Sequence, residues 1–157
     1  MTKMKTIFAI IFLALLIPVL LKAPESEAKV YRGKYANNTK WSYDTKTKTV
    51  IIECRGELPD DHHGSAGWGD YYLKAKKVIF KKGITSIGAG AFYNFQKLEE
   101  VVLPEGLKTI KDSAFFKCNG LKKIKPPTSL RTIGGSTFSE TEFNAFSLER
   151  VKKIGNM

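Results

Sequence analysis

Cysteine is nearly absent. The chain holds 2 in 157 residues, which excludes a disulfide framework as the source of its stability. Cys54 follows Val50 and Ile52 at strand alternation, and Cys118 takes the place that Phe95 takes 23 residues earlier, so both read as small buried hydrophobes, in keeping with the burial of most free thiols. Neither stands directly after the N-terminal apolar run, where a lipid-modified cysteine would have to be. A phosphate loop is missing too: Gly88 and Gly90 fall in an order that fits no Walker pattern. Ser136 and Ser139 have no histidine base in sequence reach. The 2 histidines are adjacent, in Asp60-Asp61-His62-His63 with Asp70 nearby. Histidine and carboxylate can hold zinc and polarise water, but adjacent histidines lack ligand spacing, and a polar loop accounts for them more simply. No catalytic, cofactor-binding or metal-binding residue is therefore assigned. A metal-dependent hydrolase at the Asp60–His63 loop remains a remote alternative.

Long apolar runs are equally scarce. One is present: Lys3 and Lys5 precede an uncharged stretch from Thr6 to Leu21, and Ser26-Glu27-Ala28 places small residues at the −3 and −1 positions of a cleavage site. Residues 1–28 thus read as a secretory signal peptide. Its apolar stretch falls just short of the ~20 residues of a membrane span, so a retained anchor is the alternative. No second such run follows, and no stable membrane span is expected after cleavage.

Negative charge is also short, with 15 acidic against 26 basic residues and a formal charge of +11. Removing residues 1–28 takes away three lysines and two glutamates and leaves +10. Such a surface favours polyanions outside the cell. The cations are nearly all lysine and are spread along the chain, which argues against nucleic acid, where arginine readout is common.

What the sequence does have is a period. Ile87, Ile110 and Ile133 are 23 residues apart, as are Phe92, Phe115 and Phe138. The same offset aligns Val78 with Val101 and Ile124, Ile84 with Leu107 and Leu130, Ala91 with Ala114 and Thr137, and Leu98 with Leu121. A repeat of this length predicts a solenoid, in which stacked units bury a face that none could bury alone. Units fall at 76–98, 99–121 and 122–144, with a partial fourth at 145–157 in which Phe146, Leu148, Val151 and Ile154 continue the pattern. In the second unit Glu100-Val101-Val102-Leu103 is a short strand, and Asp112 to Cys118 reads as a tight helical turn. Each unit is expected to contribute one strand, one turn and one short irregular arm. No polar element follows Ile154, so the C-terminal edge is expected to be open to a partner or to self-association.

Ahead of the repeats, residues 29–40 are polar and read as a flexible entry. Residues 41–75 read as an N-terminal cap, with Asp44 opening a hairpin turn, Thr49 to Cys54 as a β-branched strand, and Trp68, Tyr71, Tyr72 and Leu73 as aromatic and apolar cover. Those aromatics supply core packing in this reading, with a ligand platform as the alternative.

The unit Leu98-x-x-Val101-x-Leu103-Pro104-x-Gly106-Leu107-x-x-Ile110-x-x-x-Ala114-Phe115-x-x-Cys118-x-x-Leu121 resembles the BspA-type leucine-rich repeat. Ile84-Thr85-Ser86-Ile87-Gly88 with Ala91-Phe92, and Leu130-Arg131-Thr132-Ile133-Gly134 with Phe138, carry the same signature, while Pro126, Thr137 and Thr141 depart from it. The resemblance implies a mostly β leucine-rich-repeat solenoid with short helical or irregular arms, found in secreted and surface proteins of bacteria, that works by binding. It implies no catalytic residue.

The outward strand positions form the natural contact face: Lys77, Glu100 and Lys123 in one column, Ile79, Val102 and Lys125 in the next. The reading is a secreted or cell-surface module that recognises a protein or an acidic polysaccharide, with adhesion as its use. The alternative is a wall-associated structural protein held by its charge.

Overall fold

The structure is a computed structural model that describes residues 27–61, 64–144 and 151–156. The signal-peptide reading, His62, His63, Phe146 and Leu148 lie outside the described residues or, for the signal, almost entirely so.

Residues 29–40 are not a flexible entry. Val30–Tyr35 is a strand, β1, paired antiparallel with Thr39–Asp44, β2. The connection is built by Asn37 and Asn38, both left-handed at φ 56° and 55°, with the Thr39 amide donating to the Ala36 carbonyl at 3.1 Å. Three residues, 36 to 38, separate the paired Tyr35 and Thr39, and so tight a turn uses the left-handed region, which asparagine tolerates well. β2 then pairs antiparallel with β3, Thr49–Glu53, across a turn in which Asp44 Oδ1 accepts from the Lys46 and Thr47 amides at 2.8 and 3.1 Å.

From β3 the chain passes through β4 (Gly56–Glu57) and a 3-10 turn (Gly67–Tyr71) into the repeats. Their strands are β5 (Lys77–Phe80), β6 (Ile84–Ile87), β7 (Glu100–Val102), β8 (Thr109–Ile110), β9 (Lys123–Ile124), β10 (Thr132–Ile133) and β11 (Lys153–Ile154). They sort into two sheets. The larger runs β1-β2-β3-β5-β7-β9, antiparallel through the cap and parallel from β3 onward, so the cap's last strand is the first strand of the repeat sheet. The smaller runs β4-β6-β8-β10-β11 and is parallel throughout. Each unit therefore supplies two strands rather than one, and the second places Ile87, Ile110 and Ile133 side by side in the core.

The arms are not helical turns. In the arm from Asp112, the amides of Ser113, Phe115 and Lys117 donate to the carbonyls of Gly135, Thr137 and Ser139 one unit on, at 2.9, 3.1 and 3.1 Å. The previous arm repeats this from Gly90, Phe92 and Asn94 to Asp112, Ala114 and Phe116. A helix would spend those donors within its own segment; here alternate residues reach sideways, as in a parallel ladder. The left-handed residues that allow this recur in register: Gly90, Ser113 and Ser136, then Asn94, Lys117 and Glu140.

Inside, Phe92, Phe115 and Phe138 stack with centroids 5.7 and 5.8 Å apart. Trp68 ends the stack, lying 6.0 Å from Phe92 and donating from Nε1 to the Ala91 carbonyl at 2.9 Å. Tyr35 of β1 meets Trp68 edge to face at 5.2 Å, so the hairpin closes over that end. Departures from the repeat are accommodated locally. The buried Thr137 hydroxyl lies 2.8 Å from the Gly134 carbonyl and 3.1 Å from that of Lys111, and Pro126, which lacks an amide donor, follows a β9 of two residues where β7 has three.

Candidate ligand-contact face

Alternation along the larger sheet divides its residues cleanly. Val50, Ile52, Val78, Phe80, Val101 and Ile124 are buried, which turns their neighbours outward. Register then sets the outward residues in rows. Lys77, Glu100 and Lys123 occupy successive positions of one row across β5, β7 and β9, and the row ends on β3 at the buried Thr49. In the next row Ile51, Ile79 and Val102 stand side by side, with Ser42 and Arg32 continuing it across the cap. All six residues expected on the contact face thus lie on or beside one sheet surface. Lys125 falls one residue past the end of β9.

Sequence reasoning missed Ile51, which extends the apolar row by one strand. Its signal was available, because Val50 and Ile52 pointing inward turns Ile51 outward. Yet 28 residues separate Ile51 from Ile79, against 23 from Ile79 to Val102, so it belongs to no repeat column.

The electrostatics of the face are uneven. Lys77 Nζ pairs with Glu100 Oε1 at 2.9 Å, with both side chains about one third exposed, so solvent leaves the pair about 1 kcal/mol or less. Below it Lys76 and Glu99 pair at 2.6 Å, and the Lys76 hydrogen bond and charge lower the Glu99 carboxyl from its usual range. Lys123 and Lys125 have no ion-pair partner among the described residues. They border an open groove of about 590 Å³ whose walls include Val102, Leu103, Pro126 and Phe143.

The acidic loop is structural where it is described. Asp61 accepts from the Ser65 amide and hydroxyl at 2.8 and 2.9 Å and from the Ala66 amide at 3.2 Å. Asp60 accepts from the Ala89 amide at 2.8 Å and pairs with Lys111 at 3.3 Å. Burial works against the Lys111 charge, but Asp60 and Glu57 together outweigh it and raise its pKa. Among the described residues no group of three His, Cys, Asp or Glu side chains is placed to hold a metal. Ser136 and Ser139 sit in the arm ladder, and Cys54 and Cys118 are buried free thiols, as the alternation and the repeat column predict. Burial pushes the Cys118 thiol up to about 12.

The repeat columns, the paired sheets and the arm ladder agree with a family model, that of the BspA type leucine rich repeat region (6 copies), which matches residues 71–157, just over half of the chain. The chain belongs to this family. Among curated proteins, none is significantly similar to it in sequence. One solved structure, a leucine-rich repeat protein from Eubacterium ventriosum ATCC 27560, is similar in fold, with a TM-score of 0.57 at 17% identity, over 82% of this chain and 44% of that one. The leucine rich repeat protein of T. pallidum has a TM-score of 0.49 at 22% identity, over 85% of this chain and 64% of that one. A leucine-rich repeat protein from Bacteroides ovatus ATCC 8483 has a TM-score of 0.46 at 18% identity, over 85% and 41%. The chain spans less than two thirds of the length of each. BspA-type repeats are generally binding modules.

Proposed function

We propose that this BspA-type chain is an exported, non-catalytic binding module that docks an acidic protein partner on the outer face of its larger sheet. The observation that carries this reading is the row Ile51, Ile79 and Val102, flanked by Lys123 and Lys125, which have no ion-pair partner among the described residues. An apolar centre with a charged rim is the usual anatomy of a protein interface, and the rim lysines steer an acidic partner towards it. The family and the signal-like N-terminus support extracellular or surface placement, and adhesion is the use proposed for the module.

Capture of partners from the surface proteins of neighbouring or host cells tests this. Replacing Lys77, Lys123 and Lys125 with Glu is expected to lower capture at least ~10-fold at low salt, and Val102→Asp to lower it at any salt. Unchanged capture by both variants would dismiss the face.

Two further readings have an observation each. Unpaired lysines also suit attachment to an acidic wall polymer, in which case a high-salt wash releases the protein from its producer. Ile154 is 40% exposed whereas Ile87, Ile110 and Ile133 are buried, which suits self-association at that end; sedimentation over a range of concentrations would detect it.

A further inference from the structure

We propose that a groove in the cap, away from the sheet face and independent of the reading above, binds an acidic saccharide. The groove has a volume of about 540 Å³, within the ~300–1,000 Å³ of small-ligand sites. Its floor is formed by Tyr43 and Tyr71, stacked with centroids 4.0 Å apart and only 3% and 9% exposed. Neither hydroxyl has a hydrogen-bond partner among the described residues, and neither oxygen is enclosed by protein, so both are open to the groove. Both phenols border one opening and can donate to a ligand that enters it, as the polar end of a half-buried tyrosine commonly does. Burial, aided by Asp44 at Tyr43 and by Tyr31 and Asp70 at Tyr71, raises both phenol pKa values, so both remain protonated donors at neutral pH.

The rim supplies what the floor lacks. Tyr31 is 47% exposed, and its ring lies 5.9 Å from that of Tyr71 at 40°, offering a free aromatic face. Lys48, Lys74 and Lys97 border the opening and none has an ion-pair partner among the described residues; Lys74 Nζ is 6.0 Å from the Tyr71 ring centroid. Asp70 contributes one exposed carboxylate. A uronic or sulfated sugar presents three matching parts: a C–H face for the Tyr31 ring, hydroxyls for the phenols and Asp70, and an acid group for the lysines. An apolar ligand would leave the phenols and lysines unmet. A simple polyanion would leave the aromatic face unused.

Titration calorimetry on the full chain tests this with tetragalacturonate, a heparin tetrasaccharide and sialyllactose. At least one is expected to bind saturably at one site. Tyr31→Ala and the paired Lys74→Ala, Lys97→Ala change should each weaken it at least ~10-fold, and Tyr43→Phe with Tyr71→Phe about 5-fold or more while leaving thermal stability intact. Lys123→Glu with Lys125→Glu should leave it unchanged, which separates this site from the sheet face. If tetragalacturonate is the ligand, its methyl ester should bind at least ~10-fold more weakly. Absence of saturable binding by all three saccharides overturns the proposal. So does equal binding by polyglutamate with no effect of Tyr31→Ala, which would show charge attraction alone.

Discussion

At position 113 a serine sits at φ 56°, and its amide reaches the Gly135 carbonyl of the next unit. A β-branched residue there meets the full steric cost of the left-handed region. Ser113→Val is expected to lower stability by about 1–2 kcal/mol, and Ser113→Gly to be neutral or slightly stabilising; denaturant unfolding of the three proteins compares them. The thiol of Cys118 makes a different demand. It is buried, donates to the Phe92 carbonyl at 3.2 Å, and is pushed up to about 12. The fold favours the neutral thiol, so this contribution is whole below the unfolded thiol's pKa of about 8.5 and is lost as pH rises towards about 12. Stability should therefore fall over that range, and less steeply in Cys118→Ala. A thiol reagent at pH 8 should leave Cys118 untouched until the protein unfolds.

At the scale of elements, what was legible in the sequence depended on periodicity. The Phe92, Phe115 and Phe138 column and the isoleucine column were visible because identical residues recur at one spacing, and both are core ladders. The smaller sheet was hidden, since Thr109–Ile110 and Thr132–Ile133 are strands of two residues, too short for alternation to register. β1 was hidden by composition: Asn37 and Asn38 look like loop residues until their shared positive φ makes them a turn. The contact face was legible inside the repeats and lost at Ile51, where the spacing breaks. The cap groove was not legible at all, because Tyr31 and Tyr71 come from separate elements that no period relates. A deletion checks the role of β1. A flexible segment could be removed without effect, whereas loss of residues 27–35 strips Tyr35 from Trp68 and should cost about 2–3 kcal/mol, roughly one large buried side chain. Thermal unfolding with and without the segment measures it.

For the whole molecule, the two sheets and the arm ladder run across the same three units, so no unit is held by one wall alone. Unfolding should be a single cooperative transition, and Phe115→Ala, at the centre of the ring stack, should lower its midpoint by an amount equivalent to about 3–5 kcal/mol. Calorimetry of the variant would show either one displaced transition or, against this expectation, two separate ones. The charge of the molecule acts over its whole surface as well. Partner association through unpaired lysines should slow steeply with ionic strength while dissociation changes little, which stopped-flow mixing at several salt concentrations resolves.

Trp68 gives the molecule a zero point. Its ring meets Phe92 and its indole nitrogen meets the Ala91 carbonyl, so counting of units starts there, and every later interface repeats the one before it. Array length then becomes a heritable variable that the cap does not constrain. Copying residues 99–121 in tandem after Leu121 inserts one more rung between surfaces already made for each other. Lineages can lengthen or shorten such a protein in steps of 23 codons and keep both the start and the reading surface, which gives selection a ruler as well as a scaffold.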